Sequence, residues 1–304
     1  MDLAVQTRGD WDLVLATARW AEDRDLAAVA LPDHYLERGD QPERPAYDHL
    51  VHLAALARET NRIELVSLLS PVTFRHPAVY LKMGITLDEI SAGRFTMGVG
   101  TGWLTEEFTL FGLPYPDQAT RFEMLDECLA YLTAGLSQES RGFEGKHYNL
   151  AAFDPKPQPQ NLRLLVGGGG KTKTPALAGR YADEFNIYAC PPDQYLAKRE
   201  LAEKTAADAG RDPGSILFSA ASPAIAARKE TDYRRLLEML AERTRSTPER
   251  IEMVYRGRGY PHGSGSQSVE MLAALEEAGC WRYYCQMFLD DPRDFDLILD
   301  AYRP

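Results

Sequence analysis

A run of four glycines, Gly167 to Gly170, follows an apolar stretch and precedes a helical pattern. Because glycine has no Cβ, such a run lets the backbone turn tightly and present several N–H groups to one anion. Lys171 adds a positive charge, and Thr172 and Thr174 add hydroxyl groups. We expect the next helix to begin at Pro175 with Thr174 as its cap, so that loop amides do most of the holding. The pattern predicts a phosphate-binding loop, with a flexible turn as the alternative.

Two common nucleotide-binding motifs fit the glycines of this chain poorly. A Walker A loop requires a glycine five residues before Gly170, where the chain has Leu165. The segment from Gly98 to Gly102 resembles a dinucleotide fingerprint, but its last glycine comes one residue early and a long aromatic loop follows it instead of a helix. The glycine run is therefore the stronger candidate for an anion site.

Asp33 and His34 come directly after the second predicted strand, which in a barrel places them at the mouth of the active site. Imidazole titrates near neutral pH and can donate or accept a proton, so His34 is the candidate catalytic residue. Asp33 could hydrogen-bond either that ring or a cofactor. A structural or merely exposed loop histidine is the alternative that the residues leave open.

Further candidates follow the third and fourth predicted strands. Arg75 could bind an anion, but we favour an ion pair that pins its loop to the barrel. Glu106 and Glu107 are expected to be solvated or paired with a base in a loop. Four aromatic side chains could line a substrate pocket or form a small core of their own segment: Trp103, Phe108, Phe111 and Tyr115.

The histidines and cysteines show no metal-binding pattern. His49 and His52 share one helix face among apolar residues, which favours helix packing over metal binding. The four cysteines have no C-x-x-C spacing, and we interpret them as the reduced thiols of a cytoplasmic protein: Cys128, Cys190, Cys280 and Cys285. We therefore expect no metal ion.

The elements that must position these residues alternate along the whole chain. Eight strands are predicted, at 3–5, 26–31, 63–69, 95–99, 162–166, 184–188, 216–220 and 281–288. One helix begins at Pro77 and carries an apolar face of Val79, Met83, Leu87 and Ile90, and another covers 118–136. The alternation predicts an α/β fold, a closed (β/α)8 TIM barrel, with an open doubly wound sheet as the alternative.

Length and composition agree with one large domain. A barrel takes ~250 residues, so a chain of 304 residues can hold a single barrel domain over 1–304 with insertions. We place insertions at 101–116, after the fourth strand, and at 141–160, where prolines at 155, 157 and 159 force an extended path. Both lie near strand carboxyl ends, where barrels build their sites.

The charge of the chain argues against several partners. A formal net charge of -11 makes nucleic acid and anionic membrane surfaces poor partners. No apolar stretch approaches the ~20 residues of a membrane span, and no signal peptide is apparent. We expect a cytoplasmic protein that acts on a small molecule.

Several segments together resemble the bacterial luciferase-like superfamily of flavin and deazaflavin oxidoreductases. The similarity is strong from about residue 28 to 186 and weak elsewhere. It rests on residues 72–77, 86–88, 91–95, 98–103, 111–114, 121–122, 166–170 and 180–183. The Asp33-His34 pair resembles the branch that uses coenzyme F-420, of the actinobacterial type, whereas luciferase-type monooxygenases more often carry Glu-His-His there. Pro175 departs from this branch, which continues its helix at that position.

The resemblance implies where a cofactor and a substrate would lie. The ring of the cofactor would rest at the strand carboxyl ends, on a bulge near Leu68-Leu69-Ser70 that often contains a non-proline cis peptide, and the phosphate would lie on the glycine run. The implied cofactor-binding residues are Asp33, His34, Leu68, Leu69, Ser70, Gly102, Trp103, Val166, Gly167, Gly168, Gly169, Gly170 and Lys171. The implied substrate pocket contains Tyr35, Phe108, Tyr115 and Tyr188. A homodimer is also implied.

The resulting hypothesis is an F-420-dependent oxidoreductase. It would transfer hydride between the deazaflavin ring and a small organic substrate, with His34 as proton donor or acceptor. An FMN-dependent luciferase-like monooxygenase is the first alternative, and a non-catalytic flavin-binding protein is the second.

Overall fold

A computed structural model of the chain describes residues 1–36, 46–139, 141–153, 156–288 and 291–302. Eight parallel strands pair in chain order and close on themselves, because the first strand pairs with both the second and the last. Closure confirms the predicted (β/α)8 barrel and excludes the open doubly wound sheet. The described strands are β1 (Asp2–Gln6), β2 (Ala28–Leu31), β3 (Glu64–Ser67), β4 (Ser70–Pro71), β5 (Phe95–Gly100), β6 (Phe143–Glu144), β7 (Asn149–Leu150), β8 (Arg163–Gly168), β9 (Glu184–Tyr188), β10 (Leu217–Pro223), β11 (Ile225–Ala227), β12 (His262–Ser264) and β13 (Arg282–Gln286).

Helices cover the outside of the barrel, and aspartates mark several of their starts. Asp10, Asp48 and Asp117 each accept a backbone N–H of the first helical turn, which satisfies a donor that the helix itself leaves without a partner. The described helices are α1 (Trp11–Asp23), α2 (His49–Glu59), α3 (Pro77–Ile90), α4 (Thr105–Phe111), α5 (Gln118–Leu136), α6 (Lys173–Tyr181), α7 (Pro192–Asp208), α8 (Glu230–Arg243), α9 (Pro248–Arg258), α10 (Ser266–Glu277) and α11 (Asp296–Tyr302). None of these helices is long and apolar enough to cross a membrane.

The barrel interior combines small apolar residues with a buried polar group. Alanines at positions 4, 28, 30 and 221 leave room inside the barrel for Tyr284 and Leu165. Glu184 is fully buried and accepts hydrogen bonds from Ser219 Oγ at 2.6 Å and from Tyr284 Oη at 3.0 Å. Burial raises the pKa of the Glu184 carboxyl. The interior is therefore a packed, partly polar core and not a channel.

The buried face of α3 differs from the prediction. Val79 and Met83 are 49% and 39% exposed, whereas Tyr80, Leu81 and Ile85 are buried. The helix packs between α2 and α5 as well as on the barrel, so its buried arc is set by three neighbours and not by the apolar stripe alone. Leu87 is buried as predicted.

The start of α6 also differs from the prediction. The helix begins at Lys173 with Thr172 as its N-cap, two residues before the predicted start. Pro175 fits within the first turn because N–H groups there have no partner inside the helix. Thr174 is a buried helical residue and not the cap.

Both predicted insertions are present, and a third was not predicted. The first carries α4, and the second contains the antiparallel β6–β7 hairpin instead of a purely extended path. Glu127 stabilises that hairpin by accepting the backbone N–H groups of residues 146, 147 and 148. Pro155 lies outside the described residues. The third insertion, between β10 and β13, pairs β11 with β12 and carries α8 and α9.

Candidate functional site

The strand carboxyl ends place His34 opposite a buried carboxylate from the first insertion. His34 Nδ1 lies 3.0 Å from Glu107 Oε1, and the backbone N–H of Tyr35 donates to Glu107 Oε2 at 2.9 Å. Glu107 is fully buried, whereas 18% of the His34 side chain is exposed. A carboxylate at Nδ1 favours the tautomer that carries its proton there, so Nε2 is the nitrogen that can exchange a proton with another group. Of the two roles expected for Glu107, pairing with a loop base is confirmed.

Trp103 and Gly102 lie beside this pair. The Trp103 ring meets the His34 ring edge to face at 5.7 Å between centroids, and Trp103 is 54% exposed. Gly102 precedes it and lies against Phe108. Trp103 therefore forms an apolar wall next to the imidazole at the barrel mouth.

The Asp33 carboxylate lies in a buried network of polar side chains. It is 1% exposed, and its carboxylate accepts from Ser70 Oγ at 2.6 Å and pairs with Arg75 and with His49 Nδ1. Although burial alone would raise it, the pKa of Asp33 is held well below its usual range by His49 and Arg75. The carboxylate is thus held by these partners instead of the His34 ring. Its predicted contact with a cofactor stays a prediction. Arg75 also pairs with Asp48 at 2.6 Å, which confirms its predicted structural role.

His49 belongs to the same buried network, and its polar contacts were not predicted from the sequence. Its Nε2 lies 2.7 Å from Ser67 Oγ, and Tyr80 Oη donates to the same oxygen at 3.0 Å. The prediction of simple apolar packing is wrong, because the ring bridges the ends of β2 and β3. The Asp48-His49 pair at the start of α2 was the available signal. The network fixes the loop that presents His34.

The peptide bond between Leu68 and Leu69 is cis, which confirms the bulge expected at the end of the third barrel strand. Gln6 Nε2 donates to the Leu68 carbonyl at 2.6 Å, and Gln286 Nε2 donates to Gln6 Oε1 at 2.7 Å. These two glutamines were also missed, since each is an ordinary polar residue at a strand end. They connect three strand ends beneath the mouth of the barrel.

The glycines of the run have different tasks. Gly167 and Gly168 belong to β8, and a Cβ at Gly167 would lie 2.4 Å from Leu69 Cδ2. Gly167 therefore makes room for Leu69, and Val166 before it is fully buried. The predicted cofactor contacts of these two residues stay predictions. A Cβ at Gly169 would meet no atom within 4 Å, so this part of the loop is open. Gly169 and Gly170 remain the candidates for anion contact.

A second cation, which was not predicted, lies at the glycine loop in addition to Lys171. Lys171 is exposed. Lys198, on α7, is 8% exposed and donates to the Gly169 carbonyl at 3.3 Å. Nothing in the sequence singles out Lys198, because it lies within a long charged helix. Only the packing of α7 on α6 brings it to the loop.

The predicted substrate residues divide into two groups. Phe108 is 1% exposed and packs on Phe74 at 5.1 Å and on Tyr115 at 4.4 Å between ring centroids, so it is the insertion's own core and cannot line an open pocket. Tyr35 stacks on Phe74 at 4.4 Å, and Tyr115 is half-buried. Tyr188, by contrast, is 37% exposed at the end of β9, and its hydroxyl accepts from Tyr260 at 3.0 Å.

The side chains and backbone groups at the barrel mouth fit an organic cofactor better than a metal ion. No cluster of three metal-binding side chains occurs among the described residues, and the cysteines there are free. The open glycine loop and the start of α6, which has no side-chain cap, fit the phosphate of a cofactor tail. The imidazole of His34 beside the exposed Trp103 fits a flat ring. The site therefore fits a flavin or a deazaflavin.

Comparisons with known proteins agree with this fit. An F-420-dependent glucose-6-phosphate dehydrogenase of Kineococcus radiotolerans is 34% identical over 173 residues, which is 54% of this chain and 49% of that protein. A pyrimidine monooxygenase of Pseudomonas syringae is 33% identical over 133 residues, which is 43% of this chain and 37% of that protein. The chain thus spans about half or less of the length of these curated relatives.

Similarity to solved structures and to a family model covers nearly the whole chain. The coenzyme F-420-dependent tetrahydromethanopterin reductase of Methanopyrus kandleri superposes with a TM-score of 0.77 at 19% identity, over 99% of this chain and 97% of that one, which supports the fold. Residues 2–279 match the model of the family described as luciferase-like monooxygenase. The chain therefore belongs to the luciferase-like monooxygenase family.

Proposed function

We propose that this chain is a coenzyme F-420-dependent oxidoreductase that moves hydride between the deazaflavin and a small organic substrate. The observation that carries the proposal is the pairing of His34 with the buried Glu107 beside the exposed Trp103. This arrangement provides a proton donor or acceptor of fixed orientation at the mouth of the barrel. The Asp33-His34 pair, which resembles the F-420 branch, supports the choice of cofactor.

Each residue of the site has a task that its contacts support. Glu107 orients the imidazole and stabilises positive charge on it, while Nε2 takes up or releases the substrate proton. Trp103 excludes water from one side of the ring. Tyr188 offers a hydroxyl oriented by Tyr260, which in turn accepts a hydrogen bond from Arg258 at 3.2 Å.

Other residues would hold the cofactor. The cis peptide of Leu68 and Leu69, fixed by Gln6, would support the ring, and the backbone of Gly169 and Gly170 would hold the phosphate. When bound, F-420 supplies a two-electron hydride donor or acceptor that reacts poorly with oxygen. The F-420-dependent dehydrogenase of Kineococcus radiotolerans supports this choice, although the match covers about half of each chain.

The proposal is tested by binding and turnover measured separately. F-420 fluorescence should be quenched on titration with micromolar protein, and F-420 should bind more tightly than FMN or NADPH under the same conditions. Absence of quenching refutes the cofactor assignment. His34→Ala should retain F-420 binding and lose turnover, and unchanged turnover would remove the role assigned to His34.

An FMN-dependent monooxygenase is the second candidate, favoured by the similarity to a pyrimidine monooxygenase. It predicts purification with bound FMN, and oxygen consumption with reduced FMN. A non-catalytic flavin-binding protein predicts binding without turnover and indifference to His34→Ala.

We also propose that two copies associate. Val51 on α2 and Val79 and Met83 on α3 are exposed apolar side chains on neighbouring helices, which supports burial against a second copy. Sedimentation of the wild type and of a Val79→Lys, Met83→Lys variant tests this: the wild type should be a dimer and the variant a monomer.

A further inference from the structure

Lys198 is a buried cation whose contacts leave its charge without an anionic partner. Its Nζ atom donates to the Gly169 carbonyl at 3.3 Å and lies 3.8 Å from Cys190 Sγ. Within the described ranges, no carboxylate lies within ion-pair distance of this amine. Burial raises the pKa of the Cys190 thiol despite the nearby lysine, so the sulfur is neutral near pH 7. Buried lysines are rare unless they are paired, which points to a missing anion.

The surroundings of Lys198 supply the other parts of an anion site. Gly169 is exposed, and the space around its Cα is open. The helix that starts just beyond the loop, α6, has no side-chain cap at Thr172, so the first N–H groups of the helix point toward the loop without a partner from that side chain. The positive end of the helix dipole adds to the charge of Lys198 at the same place.

We propose that Lys198 is the cationic ligand of an anion site for a phosphate ester, formed with the Gly169–Gly170 backbone and the start of α6. The proposal rests on the proposed function, since the phosphate is that of the flavin-like cofactor, and it assigns a residue that the glycine run alone does not indicate. Lys171, the cation expected from its place next to the glycines, is exposed and remains solvated. The alternative is a structural latch, in which Lys198 only ties the Gly169 carbonyl to α7.

Ligand pairs with and without the phosphate distinguish these two roles. The main pair is FMN against riboflavin, which differ only in the phosphate, and the second is F-420 against its phosphate-free deazaflavin core, with dissociation constants measured by fluorescence. Lys198→Met should weaken FMN and F-420 by about tenfold or more, as expected for loss of a charge-assisted hydrogen bond, and leave the phosphate-free partners unchanged. Lys171→Met is the matched control. It should change the ratio of the two dissociation constants in each ligand pair by less than about threefold.

Two outcomes overturn the proposal. If Lys198→Met weakens the binding of phosphorylated and phosphate-free ligands equally, Lys198 is a structural latch. If Lys171→Met has as large an effect as Lys198→Met, the cation that binds the phosphate is the exposed Lys171. If Lys198→Met does not fold, Lys198→Gln and the thermal shift produced by inorganic pyrophosphate replace it. A melting temperature that rises with pyrophosphate in the wild type and not in the variant supports the site, and no rise in the wild type refutes it.

The same experiment separates this inference from the proposed function. If F-420 is not bound or turned over while the FMN-to-riboflavin ratio still depends on Lys198, the cofactor assignment fails and the anion site stands. If F-420 is bound and turned over while every ratio is indifferent to Lys198, the anion site fails and the proposed function stands.

Discussion

Replacing Glu107 by glutamine tests whether the carboxylate opposite His34 serves catalysis. The amide keeps the shape of the side chain and can still accept from the Tyr35 N–H, but it removes the negative charge 3.0 Å from His34 Nδ1. A hydrogen bond to a charged group contributes about 1.5–3 kcal/mol, and Glu107 is fully buried, so solvent does not screen the loss. If the ring carries positive charge in the transition state, Glu107→Gln should lower kcat by about 10- to 150-fold.

The assay is steady-state turnover with F-420, together with cofactor binding by fluorescence. The dissociation constant of F-420 should change little, because Glu107 contacts the imidazole ring of His34 and not the glycine loop. Glu106→Gln, the exposed neighbour on the same helix, removes the same charge and should leave kcat unchanged. The reasoning is refuted if Glu107→Gln retains full kcat, or if Glu106→Gln lowers it equally.

Three further predictions concern stability. Asp33→Asn should lower the free energy of unfolding by about 3 kcal/mol at pH 7, because it breaks a buried ion pair. Since the folded-state pKa of Asp33 is depressed, this difference from the wild type should narrow as pH falls below about 4. A difference that stays constant with pH in urea unfolding would contradict this. Glu184→Gln should show the opposite pH dependence. The folded-state pKa of Glu184 is raised, so the wild type alone loses stability as pH rises above about 4.3. In the same urea measurement, the free energy of unfolding of the variant should therefore rise relative to that of the wild type toward pH 8. Gly169→Ala should change the free energy of unfolding by less than about 0.5 kcal/mol, because a Cβ there meets no atom. Gly98→Ala should lower it by about 3 kcal/mol or more, because its Cβ would lie 2.1 Å from the Ser67 carbonyl oxygen. Similar melting curves for the two variants would show that the backbone can shift at Gly98.

The alternation of strands and helices, and with it the barrel, could be predicted from the sequence because both depend on local periodicity. The 118–136 helix and the 184–188 strand have the predicted bounds. The open side of the glycine loop was also predictable, since an absent Cβ is a property of the residue itself. The cis peptide at Leu68 was expected from the family resemblance alone.

Partners across the fold could not be predicted in this way. Glu107 lies 73 residues from His34, and Lys198 lies 29 residues from Gly169, so each pair depends on how the barrel register and the helix packing bring separate segments together. The same reason explains Asp33, whose carboxylate turns to His49 and Arg75, and α3, whose buried face is chosen by its neighbours. Sequence by itself determined which residues can turn, carry charge or exchange a proton. Only the tertiary structure decided which charge meets which, because ion pairs act over a few ångströms in space and not along the chain.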